Sequence, residues 1–185
     1  MGKSISKYQF QSVQKGIPDN LSSGVFIWML NAHKRPPHFV ISIRGKVFGI
    51  SLKGPSISKD HSIYQNLVEV KRIPTLFIEF QNLMFDDDTM QRLENHIKEN
   101  PLVSVDGLTC LDPICFFLEE ATGVQLGHVE KIFDLLDVLK ERFISSYSSF
   151  NLPVLNNDLL IDRYTKEDII EGILKVQRKY AAVRE

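Results

Sequence analysis

The chain has almost no cysteine: Cys110 and Cys115 are the only two in 185 residues. Set five positions apart, on different faces of one helical segment, they are badly placed for a disulfide. Two thiols alone also do not close a structural zinc site. A disulfide scaffold and a zinc module are therefore excluded, and cysteine usage points to a reducing, cytoplasmic setting. There is one tryptophan, and the twelve phenylalanines are spread along the chain rather than grouped as a ladder for stacked bases. Neither sign of charge is in excess: 22 basic and 23 acidic residues give a net charge of −1, which argues against a general nucleic-acid binder. No apolar run reaches the roughly 18 residues that cross a bilayer, so no membrane span is expected. The first 23 residues are polar and lack the apolar core of a secretory signal. Internal repeats and low-complexity tracts are missing too.

What is present is enough apolar residue for a packed core, 43% of the chain, with 24% charged. Residues 1–23 read as a flexible arm. Met1-Gly2-Lys3-Ser4-Ile5-Ser6 fits a myristoylation pattern in form, and Gly2-Lys3-Ser4 lacks the upstream glycine of a phosphate loop. Residues 24–149 read as one α+β domain, and 150–185 as a C-terminal helical extension. Val25–Leu30 is a continuous apolar run suited to a buried strand. His38–Ile43 and Val47–Leu52 form a hairpin around Arg44-Gly45-Lys46, and Gly54-Pro55 ends the second strand. Helical spacing over 58–72 turns Ile63, Leu67 and Val70 inward, and Thr75–Phe80 is a further strand. Asp86-Asp87-Asp88 caps a helix over 89–99 with Met90, Leu93 and Ile97 inward; no further ligands at fixed offsets make the trio a metal site. A longer amphipathic helix covers 128–143, a linker covers 145–157, and Thr165-x-x-Asp168 caps a last helix. The basic residues near its end, Lys175, Arg178, Lys179 and Arg184, complement the helix dipole.

Gly107–Gly123 carries the chemistry-bearing feature. Thr109-x-x-Asp112 has the form of a capping box, and Pro113 is tolerated only in a first helical turn. Either Thr109 caps a helix containing Cys110, or Asp112 caps one that begins at Pro113. In both cases Cys110 lies within a turn of a helix start, where the dipole favours a thiolate and the thiol pKa should fall. Cys115, followed by Phe116 and Phe117, belongs to the core.

A cysteine nucleophile needs a base, usually histidine, and a group that orients it. Of five histidines, His33 and His61 sit in polar loops, His96 faces solvent between Glu94 and Lys98, and His128 opens a helix. His38 differs, because it opens a strand after Pro36-Pro37, at the rim of a sheet. With a two-residue loop at Arg44-Gly45 its cross-strand partner is Ser51, the candidate orienter; a three-residue loop puts Leu52 there.

This order of parts resembles the circularly permuted papain-like fold of the NlpC-type peptidases and lecithin:retinol acyltransferase-like enzymes. The residues that carry it are Gly24-Val25-Phe26-Ile27-Trp28, then His38-Phe39-Val40-Ile41, a hairpin, and Thr109-Cys110-Leu111-Asp112. Val40 stands where that group usually has glycine. The resemblance covers about residues 24–123. It implies a small antiparallel sheet packed against helices and a thiol enzyme acting on amide or ester bonds. Cys110 would be the nucleophile, His38 the base, and the Cys110 backbone N–H a donor to the oxyanion. A small-molecule or peptide substrate and no cofactor are expected. The competing expectation is a non-catalytic interaction module, homodimeric or partner-bound through the amphipathic helices at 128–143 and 165–183.

Overall fold

The computed structural model describes residues 6–58 and 60–182. The myristoylation-like pattern at Met1–Ser6 and the basic Arg184 fall wholly or largely outside them. The protein is α+β. Its main sheet has seven strands in the order β2 (Gln14–Lys15), β8 (Ile144–Phe150), β7 (Thr75–Phe80), β3 (Val25–Leu30), β4 (His38–Ile43), β5 (Lys46–Ser51) and β6 (Gly54–Ser58). All neighbours are antiparallel except β2 and β8. A second, two-stranded antiparallel sheet joins β1 (Lys7–Phe10) to β9 (Leu159–Asp162). The helices are α1 (His61–Val70), α2 (Asp87–Glu99), α3 (Asp112–Thr122), α4 (Ile132–Phe143) and α5 (Lys166–Ala182).

Strand β3 is the spine, paired with β4 on one side and β7 on the other, and all six of its side chains are buried. A strand covered on both faces needs no polar alternation. Ile27, Met29, Ile41, Phe48 and Ile78 face the larger core with α2, α3 and α4. Phe26, Trp28, Val40 and Phe77 face a smaller core roofed by Val68 of α1. Trp28 Nε1 donates to Ser42 Oγ at 2.8 Å, which satisfies two polar groups in that buried layer.

The β4–β5 hairpin turns in two residues, with Arg44 at φ 48° and Gly45 at φ 80°. Positive φ at both positions makes a turn whose twist matches the strands. The ladder pairs Ile43 with Lys46 and Ile41 with Phe48. Carried to the start of β4, this register sets Ser51 opposite His38. The bulk of Val40 is accommodated by Gly49, where a Cβ would lie 2.9 Å from Val40 Cγ1.

Several expectations need correction. The second strand ends at Ser51, ahead of Gly54-Pro55 as expected, but Gly54–Ser58 is not loop and folds back as β6 on β5. On α1 the stripe is reversed. Ile63 and Val70 are 62% and 74% exposed, and Val68 is the buried residue, because Tyr64 and Val68 are the pair that meets Trp28 and its layer. The region 145–157 is not all linker, since Ile144–Phe150 pairs with β7 along its length and continues directly from α4. The arm is not loose where it is described: β1 and β2 pair with β9 and β8, and Tyr8, Phe10 and Val13 are buried. Nor is the C-terminal part only helical, because β9 precedes α5 and Leu159, Ile161 and Tyr164 join the main core.

Candidate functional site

A cavity of about 730 Å³ opens at the end of the sheet where β4 begins and β5 stops. Its walls come from His38 and Phe39, from Ser51, from Thr109, Cys110 and Leu111 ahead of α3, and from α5. All three residues expected at a catalytic site therefore border one space. Strand alternation groups His38 with Val40 and Ser42, on the smaller core's side, and Phe39 with the larger core. Both residues are among those that line the cavity.

Cys110 sits in a turn held by Thr109 and Asp112, but neither residue caps α3 as expected: the helix's N-cap is Leu111, with no side-chain cap hydrogen bond. Thr109 Oγ1 donates to Asp112 Oδ2 at 2.7 Å, the Thr109 N–H donates to the same oxygen, and Leu111 N–H donates back to Thr109 Oγ1 at 3.2 Å. The helix proper starts at Asp112 with Pro113 in its first turn. Cys110 thus sits in the turn just before the helix. Backbone N–H groups of Phe39 and of Cys110 itself favour the ionised sulfur. Ile114, Phe117, Leu118 and Ala121 bury the helix face behind it, and Gly123 ends the helix in the left-handed conformation at φ 69°.

The expected fall in the thiol pKa is not found. Burial raises Cys110 from 9.0 to about 11; the two N–H groups act in the lowering direction, and the nearby Asp112 carboxylate adds to the rise. The dipole at the helix start is outweighed by loss of water around the sulfur. Cys115 is raised to about 12, again mainly by burial, and packs against the core as expected. His38 is pushed below 6.5 by burial. At neutral pH the site therefore holds a protonated thiol and a neutral imidazole whose protonation burial disfavours.

The third member is not where the register suggested. Ser51 faces the cavity, but its hydroxyl donates to Gly54 O and accepts from Lys53 N–H, both at 3.1 Å. It is spent on the β5–β6 turn and does not orient His38. Nor does a hydrogen bond join His38 to Cys110 among the described residues. Of the other histidines, His33 and His128 are exposed. His96 corrects its expected solvent-facing role: its ring stacks on Phe116 at 4.4 Å and its Nε2 is buried without a partner.

Two contributors were not anticipated. Tyr164 is 4% exposed, borders the cavity, and accepts the Ile132 N–H at its hydroxyl at 3.2 Å. Burial raises its pKa far out of range, so it stays a protonated donor. Only its place just before the Thr165 cap distinguished it in the sequence. Gly172 lies inside α5, where a Cβ would come 2.9 Å from Pro36 Cδ. A helix-interior glycine is a legible oddity, and here it lets α5 close on the Pro36-Pro37 loop that leads into His38.

The chain matches no protein-family model, no curated protein and no solved structure. Among the described residues no group of three His, Cys, Asp or Glu side chains is arranged around a metal position, and no helix is long and apolar enough to cross a membrane.

Proposed function

We propose that the protein is a thiol hydrolase or acyltransferase of permuted papain-like type, with Cys110 as nucleophile and His38 as general base. The observation that supports this reading is that Cys110 and His38, from distant parts of the chain, both line one cavity of about 730 Å³. In the reaction Sγ attacks the carbonyl carbon of an amide or ester while its proton passes to the neutral His38 ring. The oxyanion takes hydrogen bonds from the Cys110 N–H and the Tyr164 hydroxyl. Collapse expels an amine or alcohol that carries away the His38 proton. The thioester then passes its acyl group to water or to a second acceptor. A resting pair without charges suits an apolar site, because neither group bears the cost of a buried ion before substrate arrives. The two free thiols support a reducing, cytoplasmic setting.

The test is alkylation by iodoacetamide at neutral pH, followed by mass spectrometry. Cys110 should be modified faster than Cys115, and His38→Ala should slow Cys110 alone. Equal rates at the two thiols, or no response to the histidine change, would sink the proposal.

An interaction module is the second reading, favoured by the exposed Ile63, Leu67 and Val70 of α1. Helix α4 does not serve it, since Ile132, Phe133, Leu135, Leu136, Leu139 and Phe143 are all buried in the chain's own core. Mass in solution decides it: a monomer that stays monomeric when Ile63 and Val70 become Ser leaves that face without a self-association role.

A further inference from the structure

The mouth of the cavity is basic although the chain as a whole is not. Lys34 and Arg35 stand on the loop before β4, Lys53 on the β5–β6 turn, and Lys175 and Lys179 on α5. Glu130 is the one carboxylate at the border, and it is held by Lys166 at 2.7 Å. Lys34, Arg35, Lys175 and Lys179 are exposed and form no ion pair among the described residues. Dipole compensation does not account for Lys175, which lies two turns from the end of a helix running to Ala182. Lys175 and Lys179, one turn apart, repel each other on the same helix face. Three separate segments thus bring like charges together at a net charge of −1. Deeper in, the buried Phe39, Leu111 and Ile173 make the walls apolar.

We infer that the cavity takes an amphipathic anion: an apolar body against Phe39, Leu111 and Ile173, and a carboxylate or phosphate at the mouth between Lys34, Arg35, Lys175 and Lys179. This rests on the acyl-transfer reading above and names the class of substrate for that site. Guanidinium and ammonium groups bind such oxygens through charge-assisted hydrogen bonds. An anion also relieves the repulsion between the two lysines of α5. A neutral amphiphile of the same length gains only the apolar contact.

The experiment uses the full chain carrying Cys110→Ala and measures binding by calorimetry. The probes are octanoate, octyl phosphate, octanamide and octyltrimethylammonium. Octanoate or octyl phosphate should bind at least about tenfold more tightly than octanamide, a difference of about 1.4 kcal/mol. The cation should bind worst, and raising salt from 50 to 500 mM should erase most of the gap because screening shortens to a few ångströms. The better of the two anions identifies the headgroup. K175E/K179E should abolish the preference, and K34E/R35E tests the opposite wall without touching α5. A far-UV spectrum and thermal melt matching the parent establish that each variant is folded. Equal affinity for octanoate, octyl phosphate and octanamide would overturn the inference, as would folded variants of both walls that keep the preference. These outcomes are separate from the alkylation result: an unreactive Cys110 defeats the enzyme reading, whereas indiscriminate binding defeats the anion site.

Discussion

Helices α3 and α5 are preceded by the same Thr-x-x-Asp pattern and use it differently. Before α3 Thr109 donates both its N–H and its hydroxyl to Asp112 Oδ2, and the helix begins at Asp112 with no side-chain cap; at α5 Thr165 N–H donates to Asp168 Oδ2 at 2.8 Å and Asp168 N–H to Thr165 Oγ1 at 3.3 Å, a reciprocal box. Helix α3 then buries five residues, whereas Ile173 is the buried side chain among those described on α5, and Leu174 and Val176 are 36% and 37% exposed. The pattern marks where a helix begins; it does not fix how firmly the helix is seated. The cavity lies between the two, so Cys110 belongs to a firm wall and the lysines to a lightly held one.

The largest effect that would test this contrast is on stability. Phe117→Ala in α3 should cost about 3–5 kcal/mol and Ile173→Ala in α5 about 2 kcal/mol or less, from large-to-small core substitutions. Urea unfolding measures both, and equal losses would erase the distinction. Next is Gly172→Ala. Alanine improves helix propensity by about 1 kcal/mol, but its Cβ meets Pro36, so α5 should lift while overall stability changes little. Cys110 should then be alkylated several-fold faster, with Cys115 unaffected; an unchanged rate would mean that α5 is not a movable wall. The smallest effect concerns pH. Because Asp112 helps to raise the Cys110 pKa, Asp112→Asn should move the midpoint of its alkylation profile down from about 11, and Asp168→Asn should leave it in place. The same shift in both variants would show that the carboxylate beside the sulfur has no special role.

The stretches legible in the sequence share one property: a single element dictates their pattern. Val25–Leu30 and Thr75–Phe80 are apolar runs, and only the sheet interior accepts them. Ile144–Phe150 hid behind four serines, yet it is a strand because β7 on one side and β2 on the other take up its backbone groups. Its partners, not its composition, decide its state. On α1 two apolar stripes compete, and the longer one lost because the hollow under Trp28 fits Tyr64 and Val68. At the site, Cys110 and His38 were visible because a Thr-x-x-Asp pattern and a strand start are local signals. The thiol's pKa was not, since it depends on how much water the rest of the chain removes from around the sulfur. Ser51 borders the same cavity as His38 but was given the wrong work, because the β4–β5 ladder stops at Ile41 and Phe48 and its hydroxyl turns to Gly54 and Lys53 instead. Tyr164 and Gly172 act through contacts with Ile132 and Pro36, which no local pattern records.

The pairing of β1 with β9 gives the N-terminal strand leverage over a site it never touches. Arg163 N–H bonds to Ser6 O at 2.9 Å, and Tyr164, Thr165 and α5 follow at once. The strand is therefore the mooring of the cavity's outer wall. Deleting Lys7–Phe10 should therefore loosen Tyr164 and α5 together, with no residue of the cavity changed.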